Sequence, residues 1–347
     1  MKKKKTTIID IARELDVTAS TVSRALSNHP RISNATKQAV REMAEKLDYQ
    51  PNNIAAALRK GKSNIIGALV PTADRSFFAS VIRGIEEVVS NQGYNLIICQ
   101  SNDQSEKEKQ NLEALLKIQV DGIIASVAKE TTKYEHFEKI IEQEIPLILY
   151  DRVSESLDVN AVVSDDYRGS CTAVSHLIEQ GCRSIVHFAG EQHMNIYRNR
   201  LTGFRDALQD HGLTPDDSLI FEEDLIQPME QVLDVGRQFA RTILEMPKRP
   251  DGIFSASDFA ALGAMQVLKE HGIKIPDDIA VVGYSNDVSG SFIEPGLSTV
   301  DQHTKRMGNL AARLFLEQAD GKDPQFTPRK TMLKPKLIVR GSSNRGS

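Results

Sequence analysis

The apolar residues of the chain recur with two different spacings. Over residues 7–47 they return every three to four positions, as on one face of an α-helix. Ile8, Ile11 and Leu15 share one such face, and Val22 shares another with its neighbours. We predict three short helices here, each opened by a hydroxyl residue suited to cap its N-terminus: Thr7, Thr18 and Ser33.

Beyond residue 63 short apolar runs alternate with amphipathic stretches. The runs predict strands at Ile65–Val70, Tyr94–Cys99, Gly122–Ser126, Leu147–Tyr150, Ala161–Ser164, Ser184–Ala189, Gly252–Ser255 and Ala280–Tyr284. The stretches between them predict helices near 77–90, 106–116, 170–179, 201–210, 235–244 and 260–269. Such alternation is typical of doubly wound parallel sheets, and this many strands favour two α/β lobes with a cleft between them.

Composition narrows the class of protein. The 347 residues are 40% hydrophobic and 26% charged, which excludes a disordered or collagen-like chain. The longest apolar runs are far shorter than the roughly 20 residues of a membrane-spanning helix. Lys2 to Lys5 are not followed by an apolar segment, so we predict no signal peptide. Three cysteines without a C-x-x-C spacing fit a reducing cytoplasm and offer no zinc framework.

Charge is distributed unevenly. Residues 1–62 hold 13 Lys and Arg against 6 Asp and Glu, a net charge of +7, whereas the rest of the chain carries −11. A basic terminal module is attracted to a phosphate backbone, because binding releases condensed counterions. A merely solubilising basic tail is the alternative.

The three predicted helices have the order and spacing of a helix-turn-helix. In this motif a tight turn joins the first two helices, and a third helix follows. The second helix can then lie in the major groove of DNA. We expect Ala19, Ser20 and Arg24 on its exposed face, where arginine can bind guanine through two hydrogen bonds. Thr21 and Ser23 are expected to reach phosphates. A generic three-helix packing unit is the alternative.

The same residues carry a family resemblance. This part of the chain resembles the headpiece of the LacI/GalR family of bacterial repressors. The resemblance covers residues 9–26, 32–36, 47–52 and 55–58 and includes the T-V-S-R-x-L string that begins at Thr21. The resemblance implies a DNA-binding headpiece over 1–50, a hinge over 51–62 and an effector-binding and dimerisation domain over 63–347. The DNA-binding residues expected on this basis are Thr7, Thr18, Ala19, Ser20, Thr21, Ser23, Arg24, Asn34, Asn52, Ala55, Leu58 and Arg59.

The hinge is short. Pro51 ends the third helix, and the alanine-rich turns that follow stop at Gly61, so an isolated helix here would be marginal in water. In the family, paired hinge helices enter the minor groove and a leucine wedges between base steps, and Leu58 matches that position. The alternative is that Leu58 is only a buried linker residue.

The rest of the chain resembles the family's effector domain, which is similar to periplasmic sugar-binding proteins. Matching strings occur at 120–124, 176–181, 200–204, 275–284 and 297–300. The resemblance implies a two-lobed, periplasmic-binding-protein-like domain. We expect the N-lobe to comprise about 63–162 plus 293–325, and the C-lobe about 163–290 plus 333–342.

Candidate effector-binding residues follow from strand ends and from family positions. Phe77 and Phe78 offer aromatic faces to a ring, although either could instead be core. Arg200 matches an arginine that clamps the effector in the family. Acidic residues at strand ends could equally be helix caps. The expected set is Phe77, Phe78, Asp151, Arg152, Asp165, Tyr197, Arg198, Arg200, Asp258, Ser285, Asn286, Asp287 and Gln302.

One departure from the family pattern bears on the ligand. Most members have an acid after the Gly-aromatic pair, where this chain has Ser285, followed by Asn286 and Asp287. A neutral hydroxyl thus replaces the carboxylate that usually accepts hydrogen bonds from sugar hydroxyls. Sugar binding is weakened at this position unless Asn286 or Asp287 takes over that role. Met194 stands where purine-binding members have arginine, which disfavours a purine ligand.

Enzyme motifs are not found. The sequence holds no GxxxxGK[ST], HExxH, GxGxxG or GxSxG, and its eight histidines are scattered, so we expect neither catalysis nor a cofactor or metal. The expected function is a repressor that binds a pseudo-palindromic operator as a dimer, or as a tetramer formed from two dimers, under control of a sugar-like effector. The alternative is a solute-binding or sugar-converting protein that uses the same cleft without DNA.

Overall fold

The computed structural model describes residues 6–49, 62–321 and 327–346. The chain divides into two compact units between residues 63 and 64. The described part of the N-terminal unit holds three helices, α1 (Ile8–Glu14), α2 (Ala19–Leu26) and α3 (Asn34–Lys46).

The predicted caps of these helices are confirmed. The Thr7 backbone N–H donates to the Asp10 carboxylate at 2.9 Å in a capping box. The hydroxyl oxygen of Thr18 accepts from the Thr21 N–H at 3.2 Å, and Ser33 caps α3 in the same way. Each cap satisfies a backbone donor that the helix itself leaves unpaired.

A small apolar core holds the three helices together. Ile11, Val22, Ala25 and Val40 are fully buried, and they come from all three helices. The predicted hinge lies outside the described residues, and with it Asn52, Ala55, Leu58 and Arg59.

The described part of the C-terminal unit contains two sheets, as predicted, and each has six strands, so the eight predicted runs account for eight of twelve strands. The first sheet has the order β11-β5-β4-β3-β1-β2, and all its pairs are parallel. Its strands are β1 (Ile65–Val70), β2 (Asn95–Gln100), β3 (Gly122–Ala125), β4 (Leu147–Tyr150), β5 (Asn160–Ser164) and β11 (Lys330–Leu333).

The second sheet has the order β12-β10-β9-β8-β6-β7, and only the pair β10 and β12 is antiparallel. Its strands are β6 (Ile185–Ala189), β7 (Ile220–Glu222), β8 (Gly252–Ser255), β9 (Ala280–Tyr284), β10 (Ser298–Asp301) and β12 (Lys336–Ile338). The central strands are buried on both faces, as helices on both sides of a parallel sheet require.

Helices cover the two sheets. The N-lobe carries α4 (Ser76–Ser90), α5 (Ser105–Lys117), α6 (Glu135–Glu142) and α11 (Thr304–Ala319). The C-lobe carries α7 (Asp166–Glu179), α8 (Asn195–Asp210), α9 (Met229–Glu245) and α10 (Asp258–Glu270). Several begin before their predicted start, α8 by six residues, because polar residues of the first turn obscure the periodicity.

The lobe boundaries differ from the prediction at the C-terminal end. Residues 293–301 were assigned to the N-lobe, but β10 pairs in parallel with β9, where Thr299 lies opposite Gly283, and so belongs to the C-lobe. The segment 333–342, predicted as a C-lobe strand, contributes β12 to that lobe as expected, but its first residue, Leu333, ends β11, which pairs with β5 in the N-lobe. Pro335, which has no backbone N–H, separates β11 from β12.

Two glycines allow a close helix pair beneath the N-lobe sheet. A Cβ atom on Gly84 of α4 would lie 2.1 Å from the Lys305 carbonyl oxygen, and one on Gly308 of α11 would lie 2.1 Å from the Val81 carbonyl oxygen. Both distances are shorter than any real contact. The two glycines therefore let α11, which follows the C-lobe in sequence, pack directly on α4.

Candidate functional site

The exposed face of α2 carries polar side chains suited to contact DNA. Ser20 and Arg24 are exposed, as predicted. Ala19 is half-buried and packs against the core of the N-terminal unit, so the expectation that it lies on the exposed face is wrong in part. The reason is its position in the first turn of α2, beside the turn from α1.

Hydroxyl groups cluster where α2 begins. The Thr18 hydroxyl lies 2.9 Å from the hydroxyls of both Ser20 and Thr21. Ser23 is half-buried, while Thr7 and Asn34, at the starts of the other two helices, are exposed. The starts of all three helices thus present polar groups to solvent.

A pocket lies between the two lobes, at the carboxyl ends of their strands. The space not filled by atoms is about 580 Å³, open solvent at the mouth included. Most of the predicted effector-binding residues line it: Phe77, Phe78, Asp151, Arg152, Tyr197, Arg200, Ser285, Asp287 and Gln302.

Arg200 is the central polar group of the C-lobe wall. Its Nη2 lies 2.8 Å from the Asp166 carboxylate, and its Nη1 donates to the Ala256 carbonyl oxygen at 2.9 Å. The guanidinium carbon lies 3.8 Å from the ring centre of Tyr284, and Gln302 accepts a further hydrogen bond at 3.4 Å. Although burial alone would lower the pKa of Arg200, Asp166 raises it above its ordinary value. The arginine is therefore held charged and in one orientation.

Asp165 and Arg198 do not line the pocket. Asp165 caps α7 by accepting the Arg168 N–H at 3.0 Å, which is the capping role left open as an alternative. Its neighbour Asp166, at the same strand end, is the acid that pairs with Arg200, and the predicted set contains only Asp165 of the two. Arg198 is exposed, because on α8 it lies away from the buried face that Tyr197 and Arg200 share.

Asp258 and Asn286 fix the loop after β9 and also do not line the pocket. Asp258 accepts hydrogen bonds from the Thr299 hydroxyl at 2.6 Å and from the Asp287 N–H at 2.7 Å. Burial raises the pKa of Asp258 to about 6. Asn286 accepts from Arg340 at 2.9 Å. These bonds orient Ser285 and Asp287, which do reach the pocket.

Asp151 and Arg152 form the part of the N-lobe wall that follows β4. Asp151 has a left-handed backbone with φ of 59° and is only 7% exposed. Burial raises its pKa to about 6, although Arg152 acts in the opposite direction. Arg152 donates from Nη1 to Asp103, while its buried Nε makes no hydrogen bond within the described residues.

Arg75 and Ser76, which precede the phenylalanine pair, line the pocket without having been predicted to. The Arg75 guanidinium donates to the carbonyl oxygen of Gln227 in the C-lobe. The Ser76 hydroxyl donates to the carboxylate of Asp287, also in the C-lobe. Both contacts cross the mouth of the cleft. The only sequence signal for them is their position directly before Phe77.

Apolar side chains complete the pocket. Phe77 and Phe78 meet edge to face, with ring centres 5.0 Å apart. The C-lobe contributes a set that the sequence analysis did not single out: Ile196, Leu225, Ile226, Ala256 and Phe259. A pocket with apolar walls and a few fixed polar groups is typical of a site for a small polar molecule with carbon–hydrogen faces.

Lys129 joins the two lobes beside this pocket. Its ammonium group, on the loop after β3, lies 2.7 Å from Glu191 and 2.5 Å from Asp224 in the C-lobe. Its backbone N–H donates to Asp103, the same acid that holds Arg152. Lys129 thus connects the contact between the two lobes to Arg152 of the pocket wall through Asp103.

Comparison with protein families gives two matches. Residues 7–52 match the family described as bacterial regulatory proteins, lacI family, and residues 174–343 match a periplasmic binding protein-like domain. The ribose operon repressor of Halalkalibacterium halodurans is 32% identical over 342 residues, covering 98% of both chains. The chain belongs to the LacI family.

Other relatives agree with this assignment. The HTH-type transcriptional regulator DegA of Bacillus subtilis is 32% identical and covers 98% of both chains. Among solved structures, the transcriptional regulator CelR in complex with cellobiose is 26% identical, covers 97% of this chain and 100% of its own, and has a TM-score of 0.71. The structure of a lac repressor dimer bound to operator and an anti-inducer covers 98% of this chain and 99% of its own, with a TM-score of 0.84. At 24% identity, this match shows the fold alone.

This LacI-family chain is therefore a transcription regulator, as its helix-turn-helix and two-lobed domain predict. Within residues 6–49, 62–321 and 327–346, no group of three or more His, Cys, Asp or Glu side chains is placed to hold a metal ion. In the same described ranges, no helix combines the length and apolar character that crossing a membrane requires.

Proposed function

We propose that this LacI-family protein is a cytoplasmic repressor that binds a pseudo-palindromic operator as a dimer and responds to a small sugar-like effector in the interlobe pocket. Residues 1–50 would read DNA, 51–62 would act as the hinge, and 63–347 would bind the effector and dimerise. We assign no catalytic step to the chain.

One observation carries the proposal: a single chain holds both a DNA-type recognition helix and a pocket between two lobes. On α2, Ser20 and Arg24 are exposed, whereas Val22 and Ala25 are buried. This places the polar face of α2 outward, as contact with base edges in the major groove requires. One small unit makes few contacts, so two symmetric half-sites favour a dimer.

The pocket supplies the sensing half of the proposal. Phe77, Phe78 and Phe259 offer ring faces, and Arg200 and Gln302 offer hydrogen-bonding groups. Groups from both lobes line the pocket, so a ligand that touches both stabilises the closed arrangement relative to an open one. Regulation follows when the ligand binds one arrangement more tightly than the other.

The proposal is tested by selecting duplexes from a random library with the full-length protein and measuring binding to the enriched sequence by fluorescence anisotropy. We expect enrichment of a two-fold symmetric site. Arg24→Ala should lower discrimination between this site and a scrambled duplex by about 1–3 kcal/mol, as for one lost base contact.

Arg31→Ala is the matched control, since Arg31 is exposed but lies outside α2. It should weaken binding to both duplexes alike. Failure of the wild type to bind any duplex at low salt would overturn the proposed function. An unchanged discrimination ratio in Arg24→Ala would overturn the proposed orientation of α2.

A further inference from the structure

The wall of the pocket that α4 contributes carries positive charge without a matching acid. Among the described residues, no carboxylate oxygen lies within 4 Å of the Arg75 guanidinium, whose one hydrogen bond is to the neutral carbonyl of Gln227. Burial lowers the pKa of Arg75 and the nearby Arg152 lowers it further, while Tyr197, Asp103 and Asp74 act in the opposite direction without forming an ion pair with it. A half-buried cation with another cation beside it is in an environment that an anion would improve.

Arg152 provides a second, independent indication. It is 5% exposed and lines the pocket, and its Nε makes no hydrogen bond within the described residues. The nearest carboxylate oxygen, of Asp151, is 3.9 Å from that nitrogen, which is too far for a hydrogen bond. Leaving a buried charged donor without a partner costs free energy, so this atom is suited to receive an acceptor from a ligand.

The start of α4 adds backbone donors at the same wall. No side chain caps this helix, and its first intrahelical bond runs from the Ala79 N–H to the Arg75 carbonyl. Ser76, Phe77 and Phe78, whose N–H groups precede that bond, all line the pocket. Free N–H groups at the positive end of a 15-residue helix favour a negative group.

The acids of the pocket are committed elsewhere. Asp287 accepts from the Ser76 hydroxyl and from the Ser289 N–H, and these bonds lower its pKa although burial alone would raise it. Asp151 is buried beside Arg152, and burial raises its pKa to about 6 although Arg152 acts in the opposite direction. Ser285 presents a neutral hydroxyl to the pocket. Within the described residues, Arg75 therefore has no acid at ion-pair distance, and Arg152, whose Nη1 is paired with Asp103, keeps its Nε as an open donor.

We propose that the effector is an anionic sugar derivative, whose carboxylate or phosphate binds Arg75, the Nε of Arg152 and the N-terminus of α4. This inference rests on the proposed function, since it specifies the chemical class of ligand for the same pocket. The aromatic and aliphatic walls would hold the sugar ring, and Arg200 and Gln302 would bind its hydroxyl groups.

The test measures thermal unfolding of the full-length protein with matched neutral and charged probes at constant ionic strength. The probes are galactose, galacturonate and galactose 6-phosphate, the corresponding glucose series, and inorganic phosphate and sulfate. We expect at least one anion to raise Tm in a saturable way and to bind at least tenfold more tightly than its neutral counterpart. Comparing uronate with phosphate ester separates the two sources of charge.

Variants locate the effect. Arg75→Gln should weaken anion binding by about tenfold or more, and Ser285→Asp should weaken it similarly by adding a negative charge. Arg198→Gln, on an exposed arginine outside the pocket, is the matched control and should bind as the wild type does. Circular dichroism confirms that each variant is folded.

Three results would overturn the inference: no probe anion gives a saturable rise in Tm, a neutral sugar binds as tightly as its charged counterparts, or Arg75→Gln binds the anion as the wild type does. Operator binding is measured separately. A protein that binds its operator and releases it with a neutral sugar would retain the proposed function and refute the anionic ligand.

Discussion

The two walls of the interlobe pocket hold their arginines in different ways. On the C-lobe wall, Arg200 is paired with Asp166, bonded to Ala256 and stacked on Tyr284. On the N-lobe wall, within the described residues, Arg75 is bonded only to a neutral carbonyl across the cleft, and Arg152 is paired with Asp103 but its Nε makes no hydrogen bond. The first wall is satisfied without ligand, and the second offers donors to one.

This difference indicates a division of roles. A guanidinium fixed by several bonds is pre-organised and loses little entropy when a ligand binds. A donor without a partner stores a desolvation cost that a ligand can relieve. The C-lobe wall therefore sets geometry, while the N-lobe wall selects the charge of the ligand. The following variants test this division in order of decreasing effect on stability.

Arg200→Gln should have the largest effect. It leaves Asp166 buried without its cation, which typically costs about 3–5 kcal/mol in the free energy of unfolding. Arg75→Gln, which strands no acid, should change stability by less than about 1 kcal/mol. Urea denaturation of the two variants measures both values. Similar losses in the two would show that both arginines serve the fold, and the contrast between the walls would disappear.

Asp151→Asn should stabilise the protein by up to about 3 kcal/mol at pH 7. Because the pKa of Asp151 is raised to about 6 in the folded state, its ionisation opposes folding. The contribution of Asp151 to the free energy of unfolding therefore falls as pH rises from about 4 through about 6. The variant should lose that part of the pH dependence, and asparagine tolerates the positive φ at this position. Urea denaturation between pH 4 and 8 checks this, and an equal pH slope in both proteins would contradict it.

Lys129→Met should weaken closure of the lobes by about 1 kcal/mol, since it removes a partly buried ion pair to Glu191 and Asp224. Hydrogen exchange should become about fivefold faster in the loops around residues 127–131 and 223–227. Lys133→Met, at an exposed lysine of the same loop, is the control and should not change exchange there. Unchanged exchange in Lys129→Met would mean that the ion pairs do not hold the lobes together.

The sequence predicted the layout of the molecule more fully than the details of the pocket. Eight strands and six helices of the body and all three caps in the N-terminal unit could be predicted, because they follow from local periodicity and from the preference of hydroxyl residues for helix starts. The assignment of β10 and β11 to lobes could not, because it depends on which distant strand each one pairs with.

Pocket residues, too, could be predicted where local pattern or family position indicates them, and not where only the folded structure does. Phe77, Tyr197 and Arg200 could be selected from family positions and strand ends, and they line the pocket. Asp165 was selected instead of Asp166, since only the position of the helix cap distinguishes two adjacent acids. Arg75 was missed because nothing in the local pattern shows that its side chain crosses the cleft.

The central claim is that one chain couples DNA binding to ligand binding in the pocket. It is tested most directly by measuring the affinity of the full-length protein for its selected operator with and without the probe molecule that raises Tm most. We predict that this molecule changes operator affinity at least fivefold, and that operator changes the affinity for the molecule by the same factor. Ligand binding that leaves operator affinity unchanged would contradict the account.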